Sequence, residues 1–71
     1  MIKSVYLLQQ REVIVFDKEG EHLHQYDGKF QLVRDTVLAD CAPDAEFYIT
    51  RWGQGNFEKV TREDWRNYEP E

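Results

Sequence analysis

The stretch VIVFDKEGEHLHQYDGKFQLVR, residues 13–34, decides how this chain is to be read. Its centre is the pair Asp27-Gly28, with EHLHQY (21–26) on one side and KFQLVRD (29–35) on the other. Asp-Gly between two such runs is a strong short-range hairpin signal. A type I′ turn needs positive φ at both central residues, which glycine adopts freely and aspartate tolerates. Upstream, Asp17-Lys18-Glu19-Gly20 spells a second turn after Val-Ile-Val-Phe, three β-branched residues and an aromatic. The middle of the chain therefore reads as a three-stranded meander.

Within that meander, period-2 alternation puts Leu23 and Gln25 on one face and His22, His24 and Tyr26 on the other. Phe30 and Leu32 share a face of the next strand and join Leu23 as expected core. Before the meander, the apolar run Val5-Tyr6-Leu7-Leu8 suits a central strand or one buried on both faces. The polar Gln9-Gln10-Arg11-Glu12 that follows is either a hairpin turn or a bulge in one long bent strand.

Beyond Arg34 two readings compete. Thr36-Val37-Leu38-Ala39 continues as a strand, or Asp35 or Thr36 caps a helical turn that places Val37 and Cys41 on one face at i,i+4. Residues 40–44 read as a loop around Pro43. Residues 45–52 form a further strand, with Phe47, Ile49 and Arg51 alternating with Tyr48, Thr50 and Trp52. Gly53-Gln54-Gly55-Asn56 is a turn and 57–60 a short returning strand. The period then changes: Thr61 with Asp64 resembles a capping box, and Val60 precedes it as a staple residue for Trp65. Trp65 and Tyr68 are expected to stack at i,i+3, and Pro70 ends the run. The expected architecture is one domain, 1–71, mostly β within the α+β class. It is an antiparallel meander of five to six short strands, a curved sheet or small half-open barrel, with a short C-terminal helix.

Seventy-one residues lie near the lower limit for a core without staples, so a partner or second copy would add stability. The one cysteine, Cys41, excludes an internal disulfide and fits a reducing, cytoplasmic setting. No apolar run is long enough for a membrane span, and the N-terminus lacks the pattern of a signal peptide. The formal charge is −5, and residues 37–71 carry eight of the fourteen acids but four of the nine bases. An acidic second half opposes broad contact with phosphates, so nucleic acid ranks behind a protein partner, possibly basic.

Three features bear on function. Tyr48, Trp52, Phe57, Trp65 and Tyr68 crowd the last 24 residues among Arg51, Lys59, Arg62 and Arg66. Trp and Arg are enriched where proteins bind one another, so Tyr48, Arg51, Trp52, Arg62, Trp65 and Arg66 form the expected interaction surface. Phe47, Ile49 and Trp65 are also expected to fill the interior. The same mixture of aromatics and cations serves small barrels that stack single-stranded nucleic acid, here through Tyr48, Trp52 and Arg51. Second, His22-x-His24 presents two imidazoles on one strand face. Cys41, Asp27 or Asp40 would have to complete a metal site, with zinc the ion such a set suits. Third, Cys41 could be a nucleophile with a histidine as base, but Asp40 and Asp44 oppose its ionisation. No glycine-rich phosphate loop is present, since Gly53-Gln54-Gly55 is not followed by lysine. The leading expectation is a small cytoplasmic protein-interaction or regulatory module without catalysis or cofactor, binding another protein or itself. A nucleic-acid binder, and a metal protein or enzyme subunit using His22, His24 and Cys41, are the alternatives.

Overall fold

The computed structural model describes residues 1–9, 11–50 and 56–69. It holds five strands, β1 (Ile2–Leu8), β2 (Glu12–Phe16), β3 (Gly28–Lys29), β4 (Cys41–Ile49) and β5 (Glu58–Val60), and two helices, α1 (Phe30–Asp40) and α2 (Arg62–Arg66). The sheet order is β3-β2-β1-β4-β5, mostly antiparallel and not closed into a barrel. The α+β class, the five-stranded sheet and the short C-terminal helix are as the sequence implied.

β1 and β2 form the hairpin, not a bent strand, with Val5 opposite Val15 and Leu7 opposite Val13. Gln9 takes a positive φ of 51° at the turn, and the Arg11 N–H closes it on the Leu8 carbonyl at 3.0 Å. The turn after β2 also forms: the Asp17 carboxylate accepts from the N–H groups of Glu19 and Glu21, and Gly20 takes φ 83°.

The meander ends there. Residues 21–26 are not a strand: His22 makes one bridge to Phe16, and His24–Tyr26 wind into a single 3₁₀ turn. Asp27-Gly28 is not a hairpin turn, because Gly28 and Lys29 pair with β2 and lead straight into a helix. The expected strand 29–35 and the open question over 35–42 both resolve to α1, an eleven-residue helix. The physical cause is the central pair: β1 and β4 run parallel, with Val5 opposite Phe47 and Leu7 opposite Ile49. Parallel neighbours need a crossover, and α1 lies on that path. The helix buries Phe30 and Val37 at i,i+7, with Val33 packed against the core between them. Leu32, expected inside, is 79% exposed because helical spacing turns it away from the sheet. No side chain caps the N-terminus of α1; the Phe30 N–H instead donates to the Arg11 carbonyl at 2.7 Å. The expected loop at 40–44 is instead the last residue of α1, Asp40, and the beginning of β4, where Cys41 pairs with Ile2 before a register shift.

At the C-terminal end the capping prediction holds. The Asp64 N–H donates to Thr61 Oγ1 at 3.0 Å, and α2 starts at Arg62. Tyr68 lies just past that helix and does not stack on Trp65; both rings meet Phe30 edge-on, at 6.2 and 4.9 Å. The core is one cluster: Ile2, Val5, Leu7, Val13, Val15, Phe30, Val37, Cys41, Phe47, Ile49 and Trp65. Both helices supply it from one side, so among the described residues no helix covers the other face of the sheet. Among the described residues, no helix is long and apolar enough to cross a membrane.

Candidate functional site

Strand alternation builds the uncovered face. Where Val5 and Leu7 point to the helices, Tyr6 points away; Phe16 and Ile14 do so on β2, and Tyr48 and Glu46 on β4. Tyr6 and Tyr48 stand opposite each other on the two central strands and stack, with centroids 4.9 Å apart and planes 12° apart. Phe16 and Phe57 meet the Tyr6 ring edge-on at 5.5 and 4.8 Å. Beside this cluster lies an open cavity of about 500 Å³, lined by Tyr6, Ile14, Phe16, Phe57 and the polar Lys3 and Asp17 among others. Phe57 is 46% exposed at its edge.

The polar groups on this face are tied to the rings. The Tyr48 hydroxyl donates to the Glu46 carboxylate. That bond first, and Lys59 next, hold the Glu46 carboxyl below the usual range, while the same bond raises Tyr48. Lys3 is paired with Asp44 at 2.5 Å.

The expected interaction surface is thus divided. Tyr48 belongs to the uncovered face. Arg62, Trp65 and Arg66 lie on α2, on the opposite side of the sheet. Trp65 is fully buried against Phe30 and Phe47, so it supports α2 from beneath and is no contact residue. Arg62 donates to the Ala42 carbonyl at 2.6 Å and sits 5.3 Å from the Phe47 ring centre, which commits it to the fold. Arg66 is exposed, and among the described residues its side chain pairs with Glu63 at 3.9 Å. Arg51, Trp52 and the glycine turn after them lie outside the described residues, as do Gln10 of the first turn and Pro70 at the end of the chain. Tyr6, Ile14 and Phe16 escaped the sequence reading. The signal was present, since Tyr6 alternates with Val5 and Leu7, but an unbroken apolar run conceals which side is covered.

A second cluster gathers on the connection between β2 and β3. His22 Nε2 lies 2.7 Å from Asp27 Oδ1, and His24 Nδ1 lies 3.5 Å from Asp27 Oδ2. The imidazole centroids are 3.9 Å apart. Among the described residues, His22, His24 and Asp27 are the group whose ligand atoms converge, all within 4.8 Å. Cys41, expected to join the histidines, is not in it. It starts β4, two strands across the sheet from β2.

Cys41 is also unsuited to nucleophilic work. Burial pushes its thiol up to about 11, Arg62 pulling the other way and Asp40 adding to the rise. The folded chain therefore holds this proton more tightly than the unfolded chain, whose thiol titrates near ~8.5. The stability this provides is complete below that pH and is lost as the pH climbs towards about 11. Tyr26, held by a 2.6 Å bond to Asp40, and Tyr48 are raised too and act in the same direction. Urea unfolding at pH 8 and pH 10.5 should show a clear loss of stability on the alkaline side. Cys41→Ala should reduce that loss, and an unchanged pH dependence in the variant would contradict the assignment.

Comparison with protein-family models, curated proteins and solved structures finds no match for this chain, so its function is argued from these two clusters alone.

Proposed function

We propose that the protein is a small cytoplasmic interaction module, without catalytic activity, that docks a basic segment of another protein on the uncovered face of its sheet. The observation that carries this reading is the Tyr6-Phe16-Tyr48-Phe57 cluster on the side opposite both helices. Aromatic rings supply large contact area at low cost in side-chain entropy, and clusters of them beside an apolar cavity suit protein anchors. The formal charge of −5 steers cationic chains towards the molecule and opposes pairing with a second copy of equal charge. The free, buried Cys41 supports a reducing compartment.

Single-stranded nucleic acid is the second reading, favoured by the placement of Tyr6 and Tyr48 on the two central strands. Two facts rank it lower. Tyr6 is enclosed by Phe16, Tyr48 and Phe57, so it has little free ring surface for a base. The net charge also repels phosphates.

Selection of a displayed random-peptide library on the untagged protein separates the two. Enrichment of peptides that combine Arg or Lys with aromatics is expected, and Phe57→Ala and Tyr48→Ala should weaken them by about tenfold each, a typical anchor effect. Equal binding to both variants, with their circular dichroism unchanged, would remove the face from consideration. Salt-sensitive binding of a labelled oligonucleotide would favour the second reading instead.

A further inference from the structure

We propose that His22, His24 and Asp27 form a three-ligand site for a divalent transition-metal ion of the zinc class. The site is separate from the docking face, although the His22 ring leans on Phe16 at 5.4 Å. Local backbone structure assembles it. The bridge between Phe16 and His22 holds the first imidazole at the end of the sheet. The Leu23 N–H donates to the Val15 carbonyl at 2.9 Å, and the 3₁₀ turn then brings His24 back beside His22. The Asp27 N–H closes on the His24 carbonyl at 3.1 Å, which aims the carboxylate between both rings.

The spacing suits a tetrahedral ion. Bonds of roughly 2.0–2.1 Å keep neighbouring ligand atoms about 3.3 Å apart. His24 Nδ1 already lies at about that spacing, 3.5 Å, from Asp27 Oδ2, whereas His22 meets the other carboxylate oxygen, Oδ1, so a rotation of the carboxylate lets one oxygen serve both. The His22–Asp27 separation of 2.7 Å is that of a hydrogen bond. It needs to open by about 0.6 Å when an ion takes the place of the shared proton. Two imidazoles with one carboxylate favour zinc, cobalt or nickel over calcium or magnesium, which prefer all-oxygen shells. The His24 side chain is 79% exposed and that of Asp27 38%, so the fourth position faces solvent and would hold water. An ion bound there ties the irregular segment 21–27 to the end of β2 and stabilises the folded chain by mass action.

The test is titration of the untagged protein with Co²⁺ and Zn²⁺. One ion per chain is expected, with visible absorption of four-coordinate cobalt and a melting temperature that continues to rise with free zinc. His24→Ala and Asp27→Asn should each weaken binding by about tenfold or more, consistent with losing one ligand of three. His24 is exposed enough that its alanine variant should keep the metal-free melting temperature. Cys41→Ser should bind like the parent. Absence of binding at millimolar metal, retention of parental affinity in His24→Ala, or loss of binding in Cys41→Ser would each overturn the site.

Discussion

Replacing Trp65 with alanine is expected to remove a large part of the stability of this protein. The indole is fully buried and touches the Phe30 ring of α1 at 4.9 Å and the Phe47 ring of β4 at 5.4 Å. It is therefore the junction of both helices and the sheet. α2 has five residues, far too few to be helical alone, so docking of this side chain is what keeps it in place. Truncating a buried tryptophan costs about 3–5 kcal/mol. A chain of this length has on the order of 4–11 kcal/mol in total. A melting temperature lowered by at least ~15 °C should follow, at the usual few degrees per kcal/mol for small domains. Trp65→Phe should cost much less. It keeps the ring contacts and removes an indole N–H that finds no acceptor among the described residues. Thermal unfolding followed by circular dichroism measures both. A drop below ~5 °C for the alanine variant would mean that α2 is not held through Trp65.

The second large effect is expected at Gly28. A Cβ built there would lie 2.8 Å from Cγ1 of Val33 in the first turns of α1, and Gly28 takes φ 159°, a conformation that L side chains rarely adopt. Gly28→Ala should therefore destabilise by about 1–3 kcal/mol, the range for overpacking a close contact. Gly28→Ala combined with Val33→Ala takes away the clashing methyl. The double variant should then lose less than the sum of the two single losses. Additive losses in denaturant midpoints would show instead that backbone conformation, not the approach of α1, is what Gly28 serves.

The same glycine shows where local reading and tertiary structure diverge. Asp27-Gly28 is a hairpin signal by composition, yet Gly28 pairs with β2 and lies against Val33 of α1. Residues 29–40 satisfy two periods at once. Phe30 and Leu32 fit a strand, whereas Phe30, Val33, Val37 and Cys41 fit a helix face. Three β-branched residues, Val33, Thr36 and Val37, lower helix propensity, and no capping side chain marks the start. Nothing within the segment chooses; the parallel pairing of β1 with β4 does.

The candidate sites divide in the same way. His22-x-His24 was visible as a ligand pair, but on an extended strand Asp27 would have been carried away from it. The 3₁₀ turn folds the aspartate back, and Cys41 is taken instead by the core. Tyr48, singled out in the sequence, is half-buried on the face away from the helices. Its neighbours Tyr6 and Phe16 became legible only when both helices were seen to cover the other side.

What the sequence by itself determined is the part set by neighbours in the chain: the strands β1 and β2, the Asp17–Gly20 turn and the Thr61 cap. Backbone conformational preferences and hydrogen bonds within a few residues are enough to specify these. Tertiary structure alone decided the helix at 30–40, the parallel central pair and which sheet face is left open. Those depend on which apolar surfaces meet, and burial rewards contacts between residues forty apart as readily as between neighbours.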